Sequence, residues 1–395
     1  MNSHLLTNAR IVTPTENFIG SIEIQDGIIT GISKRSYESG SDLYGQWLIP
    51  GCIDIHTDYL EKELHPRPEA DFVLPFALHY LDTRAASCGL TTVFSAVSFS
   101  DNTLKQRDFA ASIAIAREFD EVRDTMLVRH FLHARIDPNT NRILEYLDQL
   151  QQLQSLYLVV YNEDIPGERQ YRLEDLVVKR AKLLGITQDE SRMKIMKQIE
   201  VSSKINNRGA IQRIFGGRSI LGSHDDTTID HVVEAKHFGA TLSEMPTTLA
   251  AAQKARELGL WICMGAPNYY RGGSHCGNLS CVEAMQHGLV DILCSDYHFP
   301  TMLGSVVRMI ENGFDPSEAI NLVSLNPAKL LQFDHEIGSI EIGKRADLAS
   351  FSIRRSHAVI TNVFVDGIVK NHARYEKSIT ALEPREAKNL SLINN

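Results

Sequence analysis

No apolar run in this 395-residue chain approaches the roughly 18 residues that a membrane-spanning helix needs. The opening MNSHLLTNARIVTPTENF also lacks the continuous apolar stretch of a signal peptide. The expected setting is therefore the cytoplasm, with no membrane partner. Positive charge is scarce: 40 Lys plus Arg stand against 49 Asp plus Glu, a formal net charge of −9. A nucleic-acid backbone needs a positive field, so it is not the expected partner, although a locally basic pocket can still hold a small anion. Cysteine is sparse and unpaired in pattern. Cys52, Cys88, Cys263, Cys276, Cys281 and Cys294 form no CxxC, and the lone C-x4-C of Cys276 and Cys281 is weak evidence for a metal. They read as buried thiols in a reducing compartment.

What is present is ordinary globular composition, 43% hydrophobic and 23% charged, which excludes disorder and fibrous repeats. Both ends read as short half-buried strands. HLLTNARIV and SIEIQDGIITGIS, broken at Asp26-Gly27, open the chain; IGSIEIGKRADLASFSI and AVITNVFVDGIVKN, with a turn at Asp366-Gly367, come near its end. Residues 1–50 and 338–377 are expected to form one small β-sandwich domain, leaving 378–395 as a tail.

Between them, residues 51–337 carry eight short β-branched segments, each succeeded by polar or small residues and a helical stretch: 52–55, 91–97, 126–136, 156–161, 219–221, 240–242, 260–264 and 291–294. Strands buried on both faces and separated by helices indicate parallel βα units. Eight of them predict an α/β fold with a (β/α)8 TIM-like barrel, whose functional residues gather at the carboxyl ends of the strands. Residues 170–213 read as a charged amphipathic excursion over the barrel mouth, with a lid or an oligomer contact as alternatives; a homo-oligomer is compatible with the sequence.

The chemistry lies at the carboxyl ends of these strands. The first gives His56, Asp58, Glu61 and Lys62; the third His133, Arg135 and Asp137; the fourth Glu163 and Asp164. The fifth gives His224, Asp225 and Asp226, the sixth Glu244, and the eighth Ser295, Asp296 and His298. His56 and Asp58 are two apart, so a regular strand turns both to one side. One such histidine is ordinarily a satisfied core residue. Imidazoles and carboxylates at the ends of most strands instead point to a divalent metal site, because that many ionisable groups cannot share a buried mouth uncompensated.

The segment WLIPGCIDIHTD, with the β-rich IGSIEIGKRADL near the other end, resembles the amidohydrolase superfamily over nearly the whole chain. Most members carry HxH after the first strand; here it is His56-x-Asp58. HTD-x-L-x-K, HPRP, SHDD, E-x-PTT, MGAPN-x-x-RGGSH-x-GN and CSDY, in that order, resemble its diphosphatase branch in phosphonate catabolism. That resemblance implies hydrolysis of the phosphoanhydride of a phosphonate-bearing ribose 5-triphosphate, a small phosphorylated substrate, with release of pyrophosphate.

It also implies roles. His56 and Asp58 would be first-strand ligands, His224 a ligand and catalytic residue from the fifth strand, and Asp296 a ligand and proton acceptor. Asp137 aligns with a bridging Glu of the nearest relatives. Asp164 stands where the family's Asp-His-Ser-Pro-Gly has His, and Glu244 would be a ligand or a hydrogen-bond acceptor behind one. One or two divalent ions are implied, zinc or manganese, and the extra carboxylates favour a harder ion over zinc. A triphosphate also needs cations, for which Lys62, Arg67, Arg271, His275 and Arg169 are the candidates; RGGSH joins a guanidinium fork to glycines that let backbone N–H groups approach an anion. Two other readings compete: hydrolysis of a cyclic amide or other C–N bond, and a barrel that has lost catalysis.

Overall fold

The computed structural model describes residues 3–67, 70–100, 108–163, 165–169, 172–274 and 276–375. The expected tail, 378–395, lies outside them. The chain begins in a sheet of β1 (Ser3–Val12), β2 (Asn17–Gln25), β3 (Ile28–Ser33), β4 (Ser41–Asp42) and β5 (Trp47–Pro50). The barrel strands come next: β6 (Cys52–Thr57), β7 (Leu90–Phe99), β8 (Arg129–Ile136), β9 (Leu156–Tyr161), β10 (Ile220–His224), β11 (Leu242–Glu244), β12 (Trp261–Gly265) and β13 (Ile292–Cys294). The chain then returns to the first sheet with β14 (Leu348–Arg354), β15 (His357–Val365) and β16 (Ile368–His372).

The first sheet runs β16-β15-β14-β5-β1-β2-β3, with β4 beside β1, so both ends of the chain share it. Its two Asp-Gly hairpins form because Asp26, Gly27, Asp366 and Gly367 all take the left-handed φ that a type I′ turn demands. Ile11, Ile22, Ile24, Leu48, Leu348 and Phe364 make its core.

The second sheet is parallel and runs in sequence order from β6 to β13. A bridge between Thr57 and Asp296 joins its two edges and closes the barrel. Every residue of β6 and β7 is buried. No polar alternation survives because one face packs inside the barrel and the other against helices. Ile53, Ile55, Phe94, Leu158, Val160 and Ile292 fill the interior, while Val93, Leu132, Ala134 and Val159 belong to the core shared with the helices. All eight strands expected from the sequence are found, with ends shifted by a few residues.

The long connection after β9 contains helices Leu173–Leu184, Gln188–Ser202 and Arg208–Phe215. Thr187 and Glu190 form a reciprocal capping box on the second. The third seats Ile211 and Phe215 in the barrel core. Among the described residues no helix is long and apolar enough to cross a membrane.

Candidate metal centre

The barrel is sewn shut at its chemistry. The Asp296 N–H donates to the His56 carbonyl (3.0 Å) and the Asp58 N–H to the Asp296 carbonyl (2.6 Å). The pairing of β6 with β7 shifts register between Asp54 and Thr57. Close to that irregularity, the Ile55 carbonyl accepts from His133 Nδ1 at 3.0 Å. A carbonyl can only accept, so the proton sits on Nδ1, and Nε2 presents its lone pair to the mouth. Three residues just past strand ends, Asp225 after β10, Met245 after β11 and Asp296 after β13, take left-handed backbone, with φ of 57°, 55° and 56°. For non-glycine residues this costs about 1–2 kcal/mol each, and it persists where the surroundings over-determine it.

Glu244, fully buried at the end of β11, is the hub. Its Oε2 lies 3.0 Å from His56 Nδ1, 3.6 Å from His133 Nε2 and 3.7 Å from His224 Nε2. On the outer side His56 Nε2 lies 3.6 Å from Asp58 Oδ1, and His224 Nδ1 lies 3.0 Å from Asp225 Oδ2. Yet both Glu244 oxygens, His56 Nδ1, His133 Nε2 and both His224 ring nitrogens are buried without a hydrogen bond. Orphaned polar atoms on this scale are costly unless something binds them. His56, His224 and Glu244, and likewise His56, Asp58 and Asp296, bring ligand atoms within 4.8 Å of one another. Convergent imidazole nitrogens and carboxylate oxygens are the donor set of a first-row divalent ion, and the residues fit one.

Electrostatics sort these groups. Burial alone would lower His56, but the Glu244 carboxylate and Asp58 outweigh it and hold the imidazole well above its ordinary value. Burial would raise Glu244, yet His56, His133 and His224 bring it down to about 2. Burial lowers His133 to about 3, leaving it neutral. Burial, opposed by His56, lifts Asp296 to about 6, within range for a proton acceptor at neutral pH.

Behind this layer lies a network of ion pairs and hydrogen bonds. Arg169 donates to the His224 carbonyl (2.5 Å), to Asp226 (2.9 Å) and to Glu163 (2.5 Å), and Arg208 also binds Glu163. Asp226, fully buried, further accepts from the hydroxyls of Ser223 and Ser243. This network clamps the end of β10 and so the ring of His224. Asp54 accepts from the Ser295 N–H at 2.9 Å, and burial raises it to about 7.

The structure thus gathers His56, Asp58, His224, Glu244 and Asp296. Asp137 instead accepts from the Asn139 N–H at 2.9 Å in an Asp-Pro-Asn turn. Arg169, proposed for phosphate from the sequence, turns both Nη groups to His224, Asp226 and Glu163. Lys62 and Arg271 meet at the rim: Lys62 Nζ donates to the Tyr297 carbonyl (2.9 Å) and lies 4.8 Å from its ring centre, while Arg271 reaches the Tyr297 hydroxyl (3.5 Å). A cavity of about 60 Å³ beside them is walled by Asp225, Asn268, Arg271, Gly273, Asp296 and Tyr297. Arg67 is exposed, in a bridge to Ala70. Asp164 and His275 lie outside the described residues. Sequence reasoning assigned no role to Asp54, His133, Arg135 or Asp226; the last three stand at strand ends, which was the available signal.

Comparison with known proteins agrees with this geometry. Residues 47–371 match the amidohydrolase family. The chain is 32% identical over 374 residues to the alpha-D-ribose 1-methylphosphonate 5-triphosphate diphosphatase of Escherichia coli (strain K12), covering 92% of this chain and 99% of that one. It is 22% identical over 384 residues to a dihydroorotase of Clostridium botulinum (strain Eklund 17B / Type B), covering 91% and 92%. Among solved structures, N-acetylglucosamine-6-phosphate deacetylase from Pasteurella multocida superposes with a TM-score of 0.60 at 13% identity, covering 93% of this chain and 99% of that one, a likeness of fold.

Proposed function

Because the chain belongs to the amidohydrolase family and is a hydrolase of that superfamily, we propose that it cleaves alpha-D-ribose 1-methylphosphonate 5-triphosphate to the 5-phosphate and pyrophosphate. The observation that carries this reading is the end-to-end similarity to the E. coli diphosphatase. The cationic rim of Lys62 and Arg271 beside Asp296 supports it. His56, His224 and Glu244 would hold a divalent ion, zinc or manganese, which would lower the pKa of water toward neutrality and polarise a phosphoryl oxygen.

The chain's own residues do the rest. Asp296, ionised above about pH 6, accepts the proton of the attacking water at its carboxylate. Attack at the α-phosphorus breaks its bond to the bridging oxygen, and pyrophosphate leaves; the phosphonate end is untouched. Arg271 and Lys62 hold the outer phosphates, and the Gly272-Gly273 backbone can approach them closely. Neutral His133 keeps the deep side of Glu244 polar without adding charge. The substrate is a small phosphorylated sugar, and the protein acts in the cytoplasm.

The test is a phosphorus NMR assay of the manganese- or zinc-loaded protein with this substrate. Pyrophosphate is expected; intact substrate with metal bound would refute the substrate assignment. The similarity to dihydroorotase favours cyclic-amide hydrolysis as the second reading, which predicts turnover of such amides far above that of the triphosphate.

A further inference from the structure

The end of β8 places a guanidinium inside the mouth. Only 8% of the Arg135 side chain is exposed, and its Nη2 lies 2.9 Å from Asp58 Oδ1. That approach lacks hydrogen-bond geometry, and neither Nη2 nor Nε of Arg135 finds an acceptor. A buried arginine ordinarily spends its donors. One that keeps them in hand, among carboxylates and within a layer of orphaned atoms, is set to receive an anion that arrives later.

The two convergent ligand sets share a single imidazole: His56–His224–Glu244 and His56–Asp58–Asp296. His56 turns Nδ1 toward Glu244 and Nε2 toward Asp58. Guanidinium does not shed its proton in proteins. A divalent ion beside Asp58 would therefore face a fixed like charge at close range, whereas the Glu244 set lies on the other nitrogen of the ring.

We propose that Arg135 takes the place of a second metal ion: one divalent ion is held by His56, His224 and Glu244, and the Arg135 guanidinium, seated on Asp58, supplies the other positive charge to the reacting phosphoryl group. This rests on the metal-dependent phosphoanhydride reading above and adds to it a metal count and a substrate-binding residue. The two unspent donors match two oxygens of a phosphoryl group, the planar fork for which arginine is suited.

The test counts metal in the whole protein, stripped, reloaded with Mn²⁺ or Zn²⁺, dialysed and analysed by plasma mass spectrometry. One equivalent per chain is expected for the wild type and for Arg135→Lys, which keeps the charge, and nearly two for Arg135→Gln. Orthophosphate binding to the metal-free protein, monitored by calorimetry, should weaken at least tenfold in Arg135→Gln. Two equivalents in the wild type would overturn the proposal and leave the hydrolase reading standing; no retained metal would overturn both. One equivalent in wild type and in folded Arg135→Gln alike would deny Arg135 the role. Should Arg135→Gln fail to fold, Arg135→Met replaces it in both measurements, with the same two outcomes.

Discussion

β8 carries an arginine at each end, and the two are treated oppositely. At its start Arg129 binds Asp347 and, at 2.6 Å, Asp366; Asp366 also takes Arg345 at 2.8 Å, and Arg345 takes Glu336 at 2.7 Å. The Asp366 N–H completes the set by donating to Asp347 at 2.9 Å. Each charge there meets an opposite charge, and the network joins the barrel to the terminal sheet. At the other end Arg135 lies 2.9 Å from Asp58 with its Nε and Nη2 without a hydrogen bond, in a mouth where Glu244 and ring nitrogens of His56, His133 and His224 also lack one. The lesson is that burial of charge alone does not mark a working site. Closed networks hold the fold, whereas convergent donor atoms under strained backbone mark the candidate metal centre.

That contrast can be broken in order of expected effect. Asp296→Asn should lower kcat by about a hundred- to ten-thousandfold, the range for removing a general base, while retaining most bound metal; near-normal turnover would remove Asp296 as proton acceptor. On the closed side, Arg129→Met leaves Asp347 buried with its main partner gone and should cost about 3 kcal/mol of stability, with kcat unchanged. A denaturant titration beside a rate assay checks it, and a drop in kcat without loss of stability would erase the distinction between the two ends.

Glu244→Gln should weaken metal affinity by about tenfold to a hundredfold, read by competition with a chelator. Arg271→Ala should raise KM about tenfold and leave folding alone; an unchanged KM takes Arg271 out of the phosphate site. The last prediction concerns protons. In metal-free protein His56 is held above its ordinary pKa and carries a proton at neutral pH. Coordination needs the neutral ring, so metal binding must expel that proton. Affinity should rise with pH by up to about tenfold per unit and level off once pH passes the His56 pKa. Calorimetry in buffers of different ionisation enthalpy counts the released proton, and none released would place His56 outside the ligand set.

Much of this was legible in the sequence because parallel strands buried on both faces show as apolar runs that end in polar residues. Even β11, only Leu242–Glu244, was found from that pattern. His56, Asp58, His224, Glu244 and Asp296 were legible as strand-end residues, and the structure brings them together. Asp54 was not, since a lone carboxylate in an apolar run gives no sign that Ser295, 241 positions away, is its partner. Arg169 is a related case. A cation in a mouth loop looks like a phosphate ligand until the chain folds Asp226 and Glu163 against it. Asp137 precedes a proline and accepts from the Asn139 N–H two residues on, a local preference of aspartate that its place in the sequence did not bring out.

The seam between Thr57 and Asp296 also bears on how the protein comes into being. During synthesis the first ligands leave the ribosome long before the last, and the backbone bonds that set Asp58 and Asp296 against each other belong to the final closure of the ring. Contacts so distant along the chain form late. The His56, His224 and Glu244 donors are all on strands that precede β13, whereas Asp296 takes its place only when that last strand closes the ring. The donors of the ion are thus laid down first, and the proton acceptor arrives with the closing strand.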